Sequence, residues 1–304
     1  MLDNDDAVIL ADWGNSSGRL YCVRGLSSTP EILDERRVIG AKDTDDCPGL
    51  FSDIAACWMK SHGVKRAFFT GGVTSNIGWT TTGYAPAPSR ISDVQHTSLT
   101  TDYGLSCTFL SGTSIAEGPH GYFDTVRGED MQAFGWMALT GRATGVLCAP
   151  GTHTKWLTVK DGAITSILTG ITGESFEVFN THSMLTRGSE NPSHETPEFQ
   201  RGLDAMMRTP RPALTQMLIS VRTLQISQEM TATRSADYLS GLLTGENCVA
   251  AHDLLPEGPI HIIGDGSAAE RYARGLTASG RAVEIHHGQA CVIAGLQAVR
   301  QSSP

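Results

Sequence analysis

Nowhere in the 304-residue sequence does an apolar run approach the roughly 20 residues of a membrane-spanning helix, and residues 1–6 are acidic, unlike the basic start of a secretory signal. Basic charge is scarce: 23 Lys and Arg stand against 32 Asp and Glu, a net charge of −9. A nucleic-acid binder needs a basic stripe along the phosphates, so neither nucleic acid nor membrane is expected as a partner. Cys-x-x-Cys pairs are absent as well. The cysteines (Cys22, Cys47, Cys57, Cys107, Cys148, Cys248 and Cys291) are scattered and odd in number. That reads as reduced, buried thiols in a cytoplasmic protein, not as a zinc site or a disulfide framework. Low-complexity tracts are missing too. With 40% hydrophobic and 18% charged residues, the composition is that of a folded, soluble chain long enough for two domains.

What is present is a pair of small-residue turns. Asp12-Trp13-Gly14-Asn15-Ser16-Ser17-Gly18-Arg19 separates the apolar runs 8–11 and 20–23. Pro150-Gly151-Thr152-His153-Thr154-Lys155 separates the runs 146–149 and 156–159. Glycines and hydroxyls let backbone N–H groups approach an anion closely, so two such turns suggest a duplicated fold gripping a polyphosphate from both sides. The flanking pattern repeats. Strand signals at 31–39, a helix at 50–62 and a strand at 66–70 follow the first turn; a strand at 163–168 and a helix near 174–185 follow the second. Helices are expected at 129–140, 214–224, 236–255, 268–279 and 289–300, and strands at 260–263 and 282–286. A polar loop with two prolines covers 187–197. The domain boundary fits best within 141–145, giving domains 1–142 and 143–304.

Several of these segments carry chemistry. Asp12, at a strand end beside a glycine turn, is placed to hold Mg²⁺, with Gly14, Asn15, Ser16 and Arg19 around phosphates; a turn-capping aspartate is the plainer alternative. Gly151, Thr152, Thr154 and Lys155 offer donors and charge, whereas His153 is too isolated for a metal. Gly264, Asp265, Gly266 and Ser267 lie between a strand and a helix, where a glycine loop can meet a nucleotide. Glu129 and Asp130 open a helix whose dipole keeps a carboxylate ionised, as a general base requires; ordinary helix-start charge is the alternative. Ser75, Asn76 and Trp79 suit a polyol acid, or else form a glycine-rich connection with a core tryptophan. Residues 14–18 also match Gly-x-Ser-x-Gly, but a β-type run follows where the hydrolase elbow needs a helix, so the match reads as accidental and Ser16 as no nucleophile.

Taken together, Asp12-Trp13-Gly14 with Arg19, Ser75-Asn76-Ile77-Gly78-Trp79, Arg127-Gly128-Glu129, Pro150-Gly151-Thr152-His153 with Lys155-Trp156, and Leu239-Ser240-Gly241-Leu242-Leu243 resemble the blocks of the 2-dehydro-3-deoxygalactonokinase family, in order and over nearly the whole chain. The resemblance implies an α/β fold of two ribonuclease-H-like (actin-like ATPase) domains, with mixed sheets flanked by helices around a central cleft. It also implies MgATP as donor and a sugar-acid substrate, 2-dehydro-3-deoxy-D-galactonate, phosphorylated at its terminal hydroxyl in galactonate or agarose-sugar catabolism. By that likeness Glu129 is favoured over Asp130 as base, with Arg127 and the 75–79 loop facing the substrate carboxylate. Departures are Asn15 and Gly18 (usually Ser and Leu), Thr154 (frequently Cys) and Asp130 (usually Glu). A kinase of the same fold acting on another keto-deoxy or amino-sugar acid, and a non-catalytic ATP-binding regulator, stay open, as does a homodimer.

Overall fold

The computed structural model describes residues 6–25 and 27–302. The chain begins with three strands, β1 (Val8–Trp13), β2 (Ser17–Arg24) and β3 (Glu31–Ile39), then α1 (Cys47–His62) and β4 (Arg66–Thr70). Five short strands follow: β5 (Tyr84–Pro86), β6 (His96–Thr100), β7 (Ser106–Leu110), β8 (Gly112–Ile115) and β9 (Asp124–Val126). Next come α2 (Glu129–Thr140), β10 (Gly145–Ala149), β11 (Thr154–Lys160), β12 (Ala163–Gly170) and α3 (Thr172–His182). The helices α4 (Pro197–Met206), α5 (Leu214–Leu218), α6 (Ser220–Ile226) and α7 (Ser235–Leu254) lead to β13 (Ile260–Ile263), α8 (Gly266–Ala278), β14 (Val283–His286) and α9 (Gly288–Ser302).

Two sheets share one plan. In the first, the order is β3-β2-β1-β4-β7-β6; in the second it is β12-β11-β10-β13-β14. Both therefore run third, second, first, fourth, then a later strand, the order of a ribonuclease-H-like sheet. β1 pairs β2 antiparallel and β4 parallel, and β10 pairs β13 parallel. The central strands are apolar on both faces because both faces are covered: Val8, Ile9, Leu10 and Ala11 are all fully buried. A small third sheet, β5-β8-β9, completes the strand set. The α/β architecture of mixed sheets flanked by helices is the one expected.

The residues form two compact units. The first comprises Met1–Thr144, Val159–Ile167 and Gly288–Pro304; the second comprises Gly145–Thr158 and Leu168–His287. The last helix belongs to the first unit because α9 lies along α2, their backbones touching where Gly135 meets Cys291 and Gly295 meets Met131. Gln297 and Arg300 then donate to the Gly25 carbonyl, each at 2.9 Å.

Some boundaries differ from expectation for local reasons. α1 starts earlier than residue 50 because Asp46 caps it, accepting from the Gly49 N–H at 2.7 Å, and Pro48 fits its first turn. The helix expected over 214–224 is broken at Ile219 into α5 and α6. The polar loop ends where Thr196 caps α4, a helix the sequence pattern did not reveal.

Candidate active-site residues in each unit

In the first unit, three strand ends and one helix start converge on a corner rich in acids. Asp12, near the end of β1, stands opposite Arg19 on β2 and Thr70 on β4. Burial pushes the Asp12 carboxyl up to about 6, the nearby charge of Glu129 pushes the same way, and Arg19 opposes both. The start of α2 is held close: a Cβ on Gly128 would lie 3.7 Å from Asp12 Oδ1. Thr70 is fully buried, and its hydroxyl has no hydrogen-bond partner among the described residues.

The two acids that open α2 are unlike each other. Asp130 is fully buried and fastened: Oδ1 accepts the Gly128 N–H at 2.9 Å and the Met131 N–H at 3.0 Å, and Oδ2 accepts from Thr113 Oγ1 at 3.2 Å. Even so, burial raises its carboxyl to about 7. Glu129 is half-buried, and its charge raises both Asp12 and Asp130.

The first glycine turn is clamped by backbone. Gly14 N–H donates to Ser17 O at 3.0 Å, closing the hairpin, while Gly14 O and Asn15 O accept from the amides of Ala41 (3.0 Å) and Lys42 (3.2 Å). Gly40 and Gly71 permit this contact. A Cβ at Gly40 would sit 1.9 Å from Asn15 O, and one at Gly71 would sit 2.7 Å from Trp13 O. Gly71 also adopts φ +88°, a conformation that favours glycine. Asn15 and Ser16 are left exposed. Because β2 follows the turn directly, no strand-turn-helix elbow exists around Ser16.

The residues proposed for substrate have mixed placements. Asn76 is exposed, but Ser75 Oγ donates locally to Gly72 O at 2.6 Å. Trp79 packs against the rings of Phe51, Phe69 and Phe109, at 5.6, 5.4 and 5.1 Å. An open cavity of about 540 Å³ is lined by Lys42, Asp45, Pro48, Asn76, Ile77 and Trp79 among others. Arg127 turns away from that role. Its guanidinium donates to Thr74 O (2.8 Å), Thr74 Oγ1 (2.7 Å), Thr82 Oγ1 (2.5 Å) and Gly83 O (3.1 Å), and it stacks 4.3 Å from the Tyr84 ring centre. It fastens the loop that carries Ser75–Trp79, so the free charge expected there is engaged within the protein. Lys42, which no motif marked, is the exposed cation at this cavity.

In the second unit, the turn after β10 is braced by side chains. Gly151 and Thr152 are exposed, whereas Thr154 is fully buried and shares a hydrogen bond with Tyr272 OH at 2.6 Å. Tyr272 OH donates to Asn247 Oδ1 at 3.0 Å, which also accepts the Trp156 indole N–H at 3.1 Å. Thr154 is thus a support of the turn and not the open hydroxyl expected. Lys155 Nζ donates to Thr169 Oγ1 at 2.8 Å, and His153 Nε2 meets Glu174 Oε2 at 2.5 Å. The start of α3 caps the turn, with Glu174 N–H donating to Thr152 O at 2.9 Å. Beside it the loop after β13 leaves Gly266 and Ser267 exposed at the start of α8, and a Cβ on Gly264 would lie 3.7 Å from Pro150. The turn and the glycine loop therefore lie at one end of the second sheet, after the neighbouring strands β10 and β13.

Comparison with known proteins identifies the family. The family model described as 2-keto-3-deoxy-galactonokinase matches residues 12–299. A Rhizobium meliloti (strain 1021) protein named "Probable 2-dehydro-3-deoxygalactonokinase DgoK1" is 28% identical, covering 96% of this chain and 95% of the relative. The Escherichia coli (strain K12) 2-dehydro-3-deoxygalactonokinase is 24% identical, covering 96% of both. Among solved structures, a Sinorhizobium meliloti protein carrying the 2-dehydro-3-deoxygalactonokinase name superposes with a TM-score of 0.83 at 25% identity, over 97% of this chain and 96% of its own. The Clostridium difficile activator of 2-hydroxyisocaproyl-CoA dehydratase, solved with ADPNP, shares the fold with a TM-score of 0.56 at 10% identity, over 97% of this chain and 96% of its own. The chain belongs to the 2-keto-3-deoxy-galactonokinase family and is a sugar-acid kinase.

Proposed function

We propose that this kinase transfers the γ-phosphoryl group of ATP to the 6-hydroxyl of 2-dehydro-3-deoxy-D-galactonate, a cytoplasmic step of galactonate catabolism. The observation that carries the reading is the contrast at the start of α2. Asp130 is buried with both oxygens bonded, whereas Glu129 reaches solvent on the same corner as Asp12. Glu129 is then the base that orients the attacking hydroxyl and takes its proton. Asp130 is a positioning residue that fixes the Gly128 and Met131 amides, and with them the direction of Glu129.

Roles follow unit by unit. In the first, Asp12 would hold Mg²⁺ directly or through water, with Thr70 opposite it on β4. The donor set fits, because a carboxylate raised by burial and by a second acid is relieved by a divalent cation. When bound, Mg²⁺ neutralises charge on the transferred phosphoryl group. Gly14, Asn15, Ser16 and Arg19 serve phosphate oxygens, and Lys42 with Asn76 serves the acid in the cavity against Trp79. In the second unit, Gly151, Thr152 and Lys155 serve phosphates, and Gly264, Gly266 and Ser267 serve the adenosine side.

The experiment is an ADP-coupled assay across a panel of 2-keto-3-deoxy sugar acids, with the product located by mass and phosphorus NMR. Turnover should be highest with the galactonate-derived acid, with phosphate at the 6-position. Equal turnover of acids differing at C4 and C5 would overturn the substrate assignment. Nucleotide binding without ADP release on any acid would favour the regulator reading instead.

A further inference from the structure

The edge of the second sheet carries a cluster that none of the kinase roles uses. His261 on β13 faces Glu284 and His286 on β14, with His261 directly opposite Glu284 in the register and His286 two residues further on, on the same face. Their ligating atoms all lie within 4.8 Å of one another. His261 Nδ1 is 3.2 Å from His286 Nε2 and 3.4 Å from Glu284 Oε2, and the latter two atoms are 3.9 Å apart.

We propose that His261, Glu284 and His286 form a binding site for a zinc-class divalent cation, with water as the fourth ligand. The first support is metric. With bonds of about 2.05 Å, the edge of a tetrahedral zinc polyhedron is about 3.3 Å. Two of the three separations lie within about 0.1 Å of that edge, and the third closes by a small rotation of one carboxylate. Glu284 can make that rotation, since its side chain is 45% exposed at the sheet edge. Rigidity is the second support. His261 is only 2% exposed, so its ring is fixed by the surrounding core and needs no ordering on binding. Donor chemistry is the third: two imidazoles and one carboxylate suit zinc-like cations, whereas Mg²⁺ prefers an all-oxygen shell. This site is therefore separate from the Mg²⁺ role given to Asp12.

The cation would also have a structural effect. His286 O accepts the Gly264 N–H at 3.0 Å, so the glycine loop hangs from the same strand end that the cation would tie to β13.

The test uses the full-length protein carrying Cys57→Ser, which removes the exposed thiol as a competing ligand. After chelator treatment, Co²⁺ and Zn²⁺ are titrated separately, Co²⁺ being followed by visible absorption and Zn²⁺ by competition with a chromophoric chelator. One equivalent of Co²⁺ should give the intense visible bands of a four-coordinate site. Zn²⁺ should displace it and raise Tm. Glu284→Gln and His286→Gln, both at the sheet edge, should each weaken binding at least about tenfold and remove the Tm rise. His261→Gln should do the same, with circular dichroism to confirm folding. Absence of saturable binding, or binding unchanged in both edge variants, would overturn the proposal and leave the cluster as a hydrogen-bonded strand clasp.

Discussion

The two turns are both built from glycine and hydroxyl residues and hold their shape by different means. The turn after β1 is clamped by backbone: Gly40 and Gly71 admit main-chain atoms that any Cβ would displace, and the Ala41 and Lys42 amides bind its carbonyls. The turn after β10 is braced through side chains, by the Thr154–Tyr272–Asn247–Trp156 chain and by Glu174 against His153. The helix starts differ in the same way. At α2 one acid is locked and the other reaches solvent beside a third, Asp12; at α3 the acid is bonded to the turn's own histidine. A duplicated sheet plan thus carries two differently held turns, one fastened by main chain and the other by side chains.

The comparison breaks first, and most strongly, at the two helix-start acids. Glu129→Gln should lower kcat about 10²- to 10⁴-fold with KM for ATP little changed. Glu174→Gln, which alters a partner of His153, should change kcat by less than about tenfold. Steady-state kinetics on both variants checks this; similar losses would mean that neither helix start is privileged. The next effect is on stability. Gly71→Ala puts a methyl against Trp13 O and strains a positive φ, so it should cost about 3 kcal/mol in urea unfolding. A cost near zero would show that the first turn is not clamped.

A smaller effect, of unusual sign, concerns Asp130. Its carboxyl is raised from 3.8 to about 7 in the folded chain. The unfolded chain therefore ionises first, and the stability that protonated Asp130 contributes is full below about pH 4 and lost as pH rises through about 7. Asp130→Asn removes that ionisation while keeping an acceptor for Gly128 and Met131. At about pH 8 it should be more stable than the parent by roughly 1–3 kcal/mol, with the gain gone near pH 4. Denaturant titrations at both pH values test the sign. A loss of stability at pH 8 would mean that the ionised carboxylate is what the two amides require.

Much of this was legible in the chain. β3, β4, α2 and β13 fall on the residues their patterns mark, because each is a compact apolar or periodic run bounded by glycine or polar turns. The short strands β5–β9 were not legible, since each mixes polar and apolar residues over too few positions to show a period, unlike the apolar runs of β4 and β13. Nor was the role of Arg127. A basic residue before Gly-Glu looks free in sequence, and only the fold brings Thr74, Thr82 and Gly83 to it from 44–53 positions away. Thr154 misleads in the same way, because its partner Tyr272 lies 118 residues on. Lys42 carried no motif; Thr70 was visible as the strand end that opens the glycine-rich segment 70–79, but its hydroxyl's lack of a partner is a property of the packed corner.

The finest test of the contrast is Gly151→Ala, the counterpart of Gly71→Ala in the second unit. Here a Cβ would meet nothing closer than His153 O at 3.7 Å, an ordinary contact, so stability should stay within about 0.5 kcal/mol of the parent. If Gly151 is glycine for the ligand's sake, the methyl stands where a phosphate oxygen would approach, and KM for ATP should rise several-fold while KM for the sugar acid does not move. The pair of glycine variants then separates shape from binding: one loses fold and activity together, the other keeps its fold and loses only nucleotide affinity. An unchanged KM for ATP in a fully folded Gly151→Ala protein would remove the second turn from the phosphate site and leave the glycine loop at Gly264 as the nucleotide contact of that unit.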